Sequence, residues 1–302
     1  MIMDSVGIGQ FNAMTAELSR PIFTSSLVRV GIFRCAPTDP RFEDSGPIRS
    51  GHLLVFPRTC VCIIHQGGEP IVTDPNVVMF YNLHQRYRRQ KVSEQGDRCE
   101  WFAFAPEVLA SALAPYDSAA ATADQPFRFT HGPCQAQSYL QQRMVVEHLL
   151  RSPQPDQLFV EESMLGVLDA VVAAAYRRQP ADRHTRSRYQ PLVDQVRELL
   201  NAHYREPLTL PELARHVHSS PFQLCRIFRR ATGYTIHQYL NQLRLRAALD
   251  AVAAGADDLT ALALDLGYAS HSHFTQAFRQ TFGQPPSHLR RFFTSLPYCA
   301  KI

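Results

Sequence analysis

At 302 residues with 45% apolar side chains, the chain is long enough for two domains that each bury a core. No apolar run approaches the ~18 residues that span a bilayer. Residues 1–20 lack the basic start and apolar stretch of a secretory signal. A membrane partner is therefore not expected, and the chain reads as cytoplasmic. The net charge of +4 is unevenly divided: residues 1–183 carry 17 basic against 19 acidic side chains, and residues 184–302 carry 14 against 8. The second part is thus at +6, nearly all of it arginine, which suits a polyanionic partner.

In chain order, residues 25–35, 53–65, 77–82, 86–92 and 99–105 read as strands. They are rich in Val, Ile and Phe, with turn signals at Pro57-Arg58, Gly67-Gly68, Asp74-Pro75 and Gly96-Asp97. Many short strands with regular turns predict a small barrel or jelly roll. Helical periodicity follows over 135–151, with Leu140, Met144 and Val145 near one face, and over 157–178. Residues 179–188 are polar, contain Pro180, and are expected to be a linker. The expected organisation is a sensor domain over 1–134, a helical coupling or dimerisation region over 135–178, that linker, and an all-α domain over 189–293. The fold class is α+β.

An internal repeat of about 50 residues dominates the last third. Phe228-Arg229-Arg230-Ala231-Thr232-Gly233 recurs as Phe278-Arg279-Gln280-Thr281-Phe282-Gly283, both reading F-R-x-x-x-G. Upstream, Leu213-Ala214 and Val217 match Leu262-Ala263 and Leu266 at an offset of 49. Each copy reads as helix, tight turn, helix. In the first, Thr209 and Glu212 form a capping box, His218-Ser219 make the turn, Ser220 caps the second helix and Pro221 opens it. In the second, the turn is Gly267-Tyr268 and Ser270 is the cap. The helix after each turn buries one face and leaves the other free to enter a major groove of double-stranded DNA. The outward sets, Phe222, Gln223, Cys225, Arg226, Arg229 and Arg230, then His271, Ser272, His273, Thr275, Gln276 and Arg279, contain no carboxylate.

These segments resemble the AraC/XylS family of bacterial transcription regulators. The likeness runs from Pro207 to Leu289 and includes R-I-F-R-R-A-T-G at Arg226–Gly233, A-L-D-L-G-Y at Ala263–Tyr268, S-H-F-T-Q-A-F-R at Ser272–Arg279 and F-G-Q-P-P-S-H-L-R at Phe282–Arg290. The resemblance implies two helix-turn-helix units joined by a rigid helix, here about 235–254, that read successive major-groove faces. By position it places base-reading at Phe222, Cys225, Arg226, His271, Ser272, Thr275 and Gln276, with Gln223 beside them. Arg229, Arg230, Arg279 and the helix starts at Ser220 and Ser270 are expected to hold phosphates. It further implies a cupin-type N-terminal half that binds a small-molecule effector, contact with RNA polymerase, activation as the mode of regulation, and a possible homodimer through the N-terminal half.

The rival readings are a cupin-type enzyme and a non-specific nucleic-acid binder carrying a helix-turn-helix tail. Against the first, His52, His65 and His84 stand alone, without the H-x-H and glutamate of a cupin metal site, and no nucleophile elbow occurs. No enzyme activity, metal or cofactor is expected. The seven cysteines are scattered and read as reduced thiols; Cys60 and Cys62 read as small apolar fillers on a strand. Trp101, Phe102 and Phe104 read as core.

Overall fold

The computed structural model describes the backbone of residues 18–177 and 183–295, and the side chains of all of these except 183–188. They pack into two compact units. One comprises the chain up to Asp74 with Val78–His131, and the other comprises Pro75–Val77 with the chain from Gly132 onward.

The first unit is built of antiparallel strands. β1 (Ser19–Thr24), β2 (Val28–Cys35), β8 (Asp97–Phe104), β3 (Leu53–Pro57) and β6 (Val77–Tyr81) lie side by side in that order. A second sheet runs β5 (Pro70–Thr73), β4 (Val61–His65), β7 (Tyr87–Lys91). Strand alternation sends Phe33, Cys35, Leu53, Val55, Met79, Tyr81 and Trp101 from the first sheet, and Val61, Ile63 and Ile71 from the second, into one shared core. Two antiparallel sheets closing on one core match the small barrel or jelly roll expected from the strand pattern. The short α1 (Pro106–Leu113) and α2 (Ser118–Ala121) follow; Asp117 caps α2 by accepting from Ala120 N. Strand β9 (His131–Pro133) lies at the boundary between the units.

The second unit is helical: α3 (Ala136–Arg151), α4 (Gln157–Arg177), α5 (Arg183–His203), α6 (Leu210–His216), α7 (Pro221–Thr232), α8 (Ile236–Ala253), α9 (Leu259–Asp265), α10 (His271–Phe282) and α11 (Pro286–Ser295). Helix α5 begins inside the stretch expected to be a linker; of that stretch, residues 179–182 lie outside the described residues. Polar composition misled the reading there, because polar side chains do not stop a helix and the nearest breaker, Pro180, precedes its start. In the sequence, α3 belongs to the expected helical coupling or dimerisation region. Its inner face packs within the helical unit, where Tyr139 Oη donates to Asp250 at 3.2 Å, Arg143 pairs with Asp250 at 3.3 Å, and Arg151 donates to the Ala253 and Phe293 carbonyls. From α8, the buried Arg246 donates to Cys134 O at 2.6 Å and lies over the Tyr139 ring.

Candidate nucleic-acid interface

Both halves of the repeat fold as helix, turn, helix. Thr209 caps α6 and Glu212 returns the bond to the Thr209 backbone, completing the capping box. Ser220 Oγ accepts from Gln223 N and starts α7, with Pro221 in the first turn, where its missing N–H costs nothing. Gly233 ends α7 in the left-handed region at φ +81°. In the second unit Asp258 caps α9, Ser270 Oγ accepts from His273 N to start α10, and Gly283 ends it at φ +78°. The connecting α8 starts from a Thr235–Gln238 capping box and runs unbroken to Ala253, matching the expected rigid helix.

The inward faces pack as the periodicity predicts. Leu224, Ile227 and Phe228 of α7 join Leu213, Ala214 and Val217, together with Val193, Val196 and Leu200 of α5, in one core. In the second unit Phe274, Phe278 and Phe282 form an edge-to-face row with centroids 5.7 and 4.8 Å apart, and all three are buried. Burying these faces leaves the opposite ones in solvent. Phe222 is 79% exposed, and Gln223, Cys225, Arg226, Arg229 and Arg230 are all exposed. On α10, His271, Ser272, Gln276 and Arg279 are exposed, Thr275 is half-buried, and all five border one open concavity. His273, outward in the sequence reading, is exposed but lays its ring edge-on against Tyr268 at 5.5 Å. The sequences of α7 and α10 hold no Asp or Glu, so the exposed faces carry no negative charge. The Ser220 and Ser270 hydroxyls act as acceptors in their caps and keep their own protons free to donate outward.

The strand-built unit holds a cavity of about 450 Å³ that the sequence did not reveal, lined by Arg29, Phe33, Leu53, Val55, Tyr81 and Trp101 among others. Trp101 lies between Gly31 on β2 and Val55 on β3 in the sheet register. A Cβ at position 31 would fall 2.1 Å from the indole, so glycine there makes room for the ring. The indole Nε1 is buried without a hydrogen-bond partner. Burial, with Tyr87 nearby, pushes the Tyr81 hydroxyl well above its ordinary pKa and keeps it a neutral donor. Asp97, the sole carboxylate in the lining, is ion-paired at 2.9 Å with the buried Arg89. Arg89 is also enclosed by the rings of Phe33, Phe42 and Tyr87. Trp101 thus belongs to both the core and the cavity wall, whereas Phe102 meets Phe56 edge-on at 5.4 Å.

Of the isolated histidines, His65 is buried, which lowers its pKa to about 4, and its Nδ1 lies 2.9 Å from Gln85 Nε2. His52 Nδ1 accepts from Leu83 N. Among the described residues no group of three or more His, Cys, Asp or Glu could hold a metal ion. Nor is any described helix long and apolar enough to cross a membrane. Cys60 and Cys62 are buried with Val72 in a small satellite cluster, as fillers would be.

The helical unit therefore carries two successive helix-turn-helix units on one connecting helix. A helix-turn-helix domain family matches residues 213–291. The regulatory protein SoxS of Salmonella typhimurium is 30% identical over 102 residues, which cover 34% of this chain and 95% of SoxS. The bifunctional transcriptional activator/DNA repair enzyme AdaA of Bacillus subtilis is 30% identical over 99 residues, and the regulator ArgR of Pseudomonas aeruginosa 35% over 96. The matched stretch spans 47% of AdaA and 29% of ArgR, and about a third of this chain. Among solved structures, an AraC-type regulator from Chromobacterium violaceum is 27% identical over 36% of this chain and 97% of its own (TM-score 0.34). ToxT of Vibrio cholerae aligns with 89% of this chain and 98% of its own at 12% identity (TM-score 0.38). The chain belongs to the AraC-type family of helix-turn-helix regulatory proteins.

Proposed function

We propose that this protein is a sequence-specific DNA-binding transcription regulator, an activator that works in the cytoplasm under the control of a small-molecule effector held in its strand-built half. The observation that carries the DNA reading is the pair of identically capped helices, α7 and α10, whose solvent faces are rich in donors and free of carboxylates. Phe222, Gln223, Cys225 and Arg226 read one half of the site, and His271, Ser272, Thr275 and Gln276 the other. Arg229, Arg230, Arg279, Ser220 and Ser270 hold phosphates. Arginine offers a bidentate match to guanine N7 and O6, and glutamine to adenine N6 and N7. RNA polymerase and a second copy of the chain are the protein partners of this reading. The domain limits that accompany it are a sensor over 1–134 and a DNA-binding domain over 189–293. The full-length protein should select a defined sequence from random duplexes, with affinity falling steeply as salt rises. Retention of all duplexes with equal affinity would leave only a non-specific binder.

The cavity supports the effector reading and points to a class of ligand. Its walls are largely apolar. Among its polar side chains the Trp101 N–H and the Tyr81 hydroxyl can donate, and the guanidinium groups of Arg29, which also donates to Ser50 O, and Arg49 add positive charge to the lining. Such a lining favours a small apolar body bearing an anionic acceptor over an amine. Trp101 is the single tryptophan of the chain and reports on its own pocket. Its emission should respond to 4-phenylbutanoate at lower concentration than to the corresponding amide, and least to 4-phenylbutylamine. The reverse order would overturn the anionic assignment.

A further inference from the structure

One side chain on the connecting helix binds backbone both at the entrance to the first helix-turn-helix unit and in the turn of the second. Arg244, in the middle of α8, donates from Nε to Tyr204 O at 2.6 Å and from Nη2 to Glu206 O at 2.9 Å, both in the segment that leads into the first unit. Its Nη1 donates to Gly267 O at 3.1 Å, in the turn of the second unit. The neighbouring bonds follow the same seam. Tyr268 Oη donates to Asn241 Oδ1 at 2.7 Å, one helical turn from Arg244, and Arg205 pairs with Asp265 at 2.6 Å. Gly267 sits at φ +77°, and a Cβ there would come within 2.8 Å of Arg244 Nη2 and 3.0 Å of Arg205 O. The turn is glycine both for its backbone angle and for the space the guanidinium fills.

Helix α8 packs Ile236, Tyr239, Leu240 and Leu243 into the core of the first unit, and the Arg244 seam adds directional polar bonds to that packing. Three carbonyl bonds from one planar guanidinium close the loop from α8 to both units and from each unit to the other. We infer that Arg244, seated against Gly267, is a positioning residue that fixes the rotational phase between α7 and α10 and thereby sets the spacing of the two half-sites the protein accepts. This rests on the DNA reading above. Arg244 touches no base in this scheme; it selects spacing rather than sequence.

The test is a spacing series on the operator selected by the full-length protein. One base pair inserted between half-sites rotates them by about a tenth of a turn and moves them apart by one step. The unsubstituted protein should lose about tenfold or more in affinity at plus or minus one base pair. Arg244→Gln should bind the optimal operator less tightly yet lose less than about threefold on either shift, flattening the profile. Tyr268→Phe, which removes a single hydroxyl from the same seam, should flatten it partially and serves if Arg244→Gln fails to fold. Equal loss at every spacing, with the wild-type profile retained, would make the residue merely structural and overturn the inference. Absence of any selected operator for the unsubstituted protein would instead overturn the DNA reading itself. A direct readout needs no DNA. Spin labels on the exposed Cys225 and on Gln280→Cys, with Cys299→Ser, should give a narrow distance distribution that Arg244→Gln broadens; an unchanged width would also overturn the inference.

Discussion

On α7 the solvent face carries three arginines and an exposed phenylalanine; on α10 it carries two histidines, a serine, two glutamines and a single arginine, with Thr275 at the margin. The backbones beneath these faces are the same. His218 N donates to Arg215 O and Ser219 N to Ala214 O; 49 residues on, Gly267 N donates to Leu264 O and Tyr268 N to Ala263 O. One scaffold thus presents two chemistries. Guanidinium groups act over a distance and are screened by salt, whereas hydroxyl, amide and imidazole groups act only at contact. Under the proposed DNA-binding function, the difference gives the first unit a larger share of affinity and the second a larger share of discrimination.

If the two units are equivalent beneath their surfaces, equivalent core deletions should cost alike. Phe228 and Phe278 are both fully buried, the first edge-on to Tyr239 at 5.3 Å, the second between Phe274 and Phe282. Phe228→Ala and Phe278→Ala should each destabilise the helical unit by about 3–5 kcal/mol. Denaturant unfolding followed by circular dichroism would measure both. A difference of more than about 2 kcal/mol would break the equivalence and show that one unit leans on its neighbours.

The surface comparison is sharpened by paired substitutions at the offset of 50. Arg226→Ala should cost about 1–3 kcal/mol at one half of the operator and relax base preference there alone. Gln276→Ala should do so about one helical turn (~10 base pairs) away, because two recognition helices on one face of the duplex meet successive grooves. Binding-site selection on both variants decides, and loss of preference at the same base pairs would end the two-half-site model. A smaller effect separates charge from contact. Arg230→Ala should weaken all sequences alike and reduce the slope of log affinity against log salt by about 1. Gln276→Ala should leave that slope unchanged, since an uncharged side chain releases no counterion.

The helix-turn-helix pair was legible because its signals are local. A capping hydroxyl, an F-R-x-x-x-G helix end and a 3.6-residue apolar stripe each sit within a dozen residues and each appears twice, and the first copy adds a proline at the helix start. The strand-built half was legible in outline, but β1, S-R-P-I-F-T with no fully buried residue, carries too little alternation to be seen. What stayed hidden depends on contacts between distant segments. Arg244 looks like any solvated arginine of a helix until Tyr204, Glu206 and Gly267 turn carbonyls toward it. The α3 seam hid for a similar reason, since Arg143 and Arg246 read as surface charge and are buried. The cavity needs Gly31 opposite Trp101, a register that no periodicity announces.

The smallest expected effect lies in the turn position where both units hold a positive φ but differ in residue type. His218 holds φ +50° in the first turn, and Gly267 holds φ +77° in the second. A side chain in the left-handed region costs about 1–2 kcal/mol relative to its preferred conformations. Glycine escapes that cost but loses roughly 0.5–1 kcal/mol of extra backbone freedom on folding. His218 is exposed and engages no side chain that a glycine would abandon, apart from solvent contacts of the ring. His218→Gly should therefore raise stability by a few tenths of a kcal/mol to about 1 kcal/mol, with DNA affinity unchanged. At the second turn the exchange is asymmetric, because a side chain at 267 meets both the angle and the Arg244 guanidinium. Thermal melts of His218→Gly and Gly267→Ala, read side by side, test this account. Stabilisation by the first with clear destabilisation by the second fits a relaxed turn facing a seated one. Destabilisation by both would mean that the His218 side chain holds the first turn through an interaction of its own, and the two turns would no longer be variants of one design.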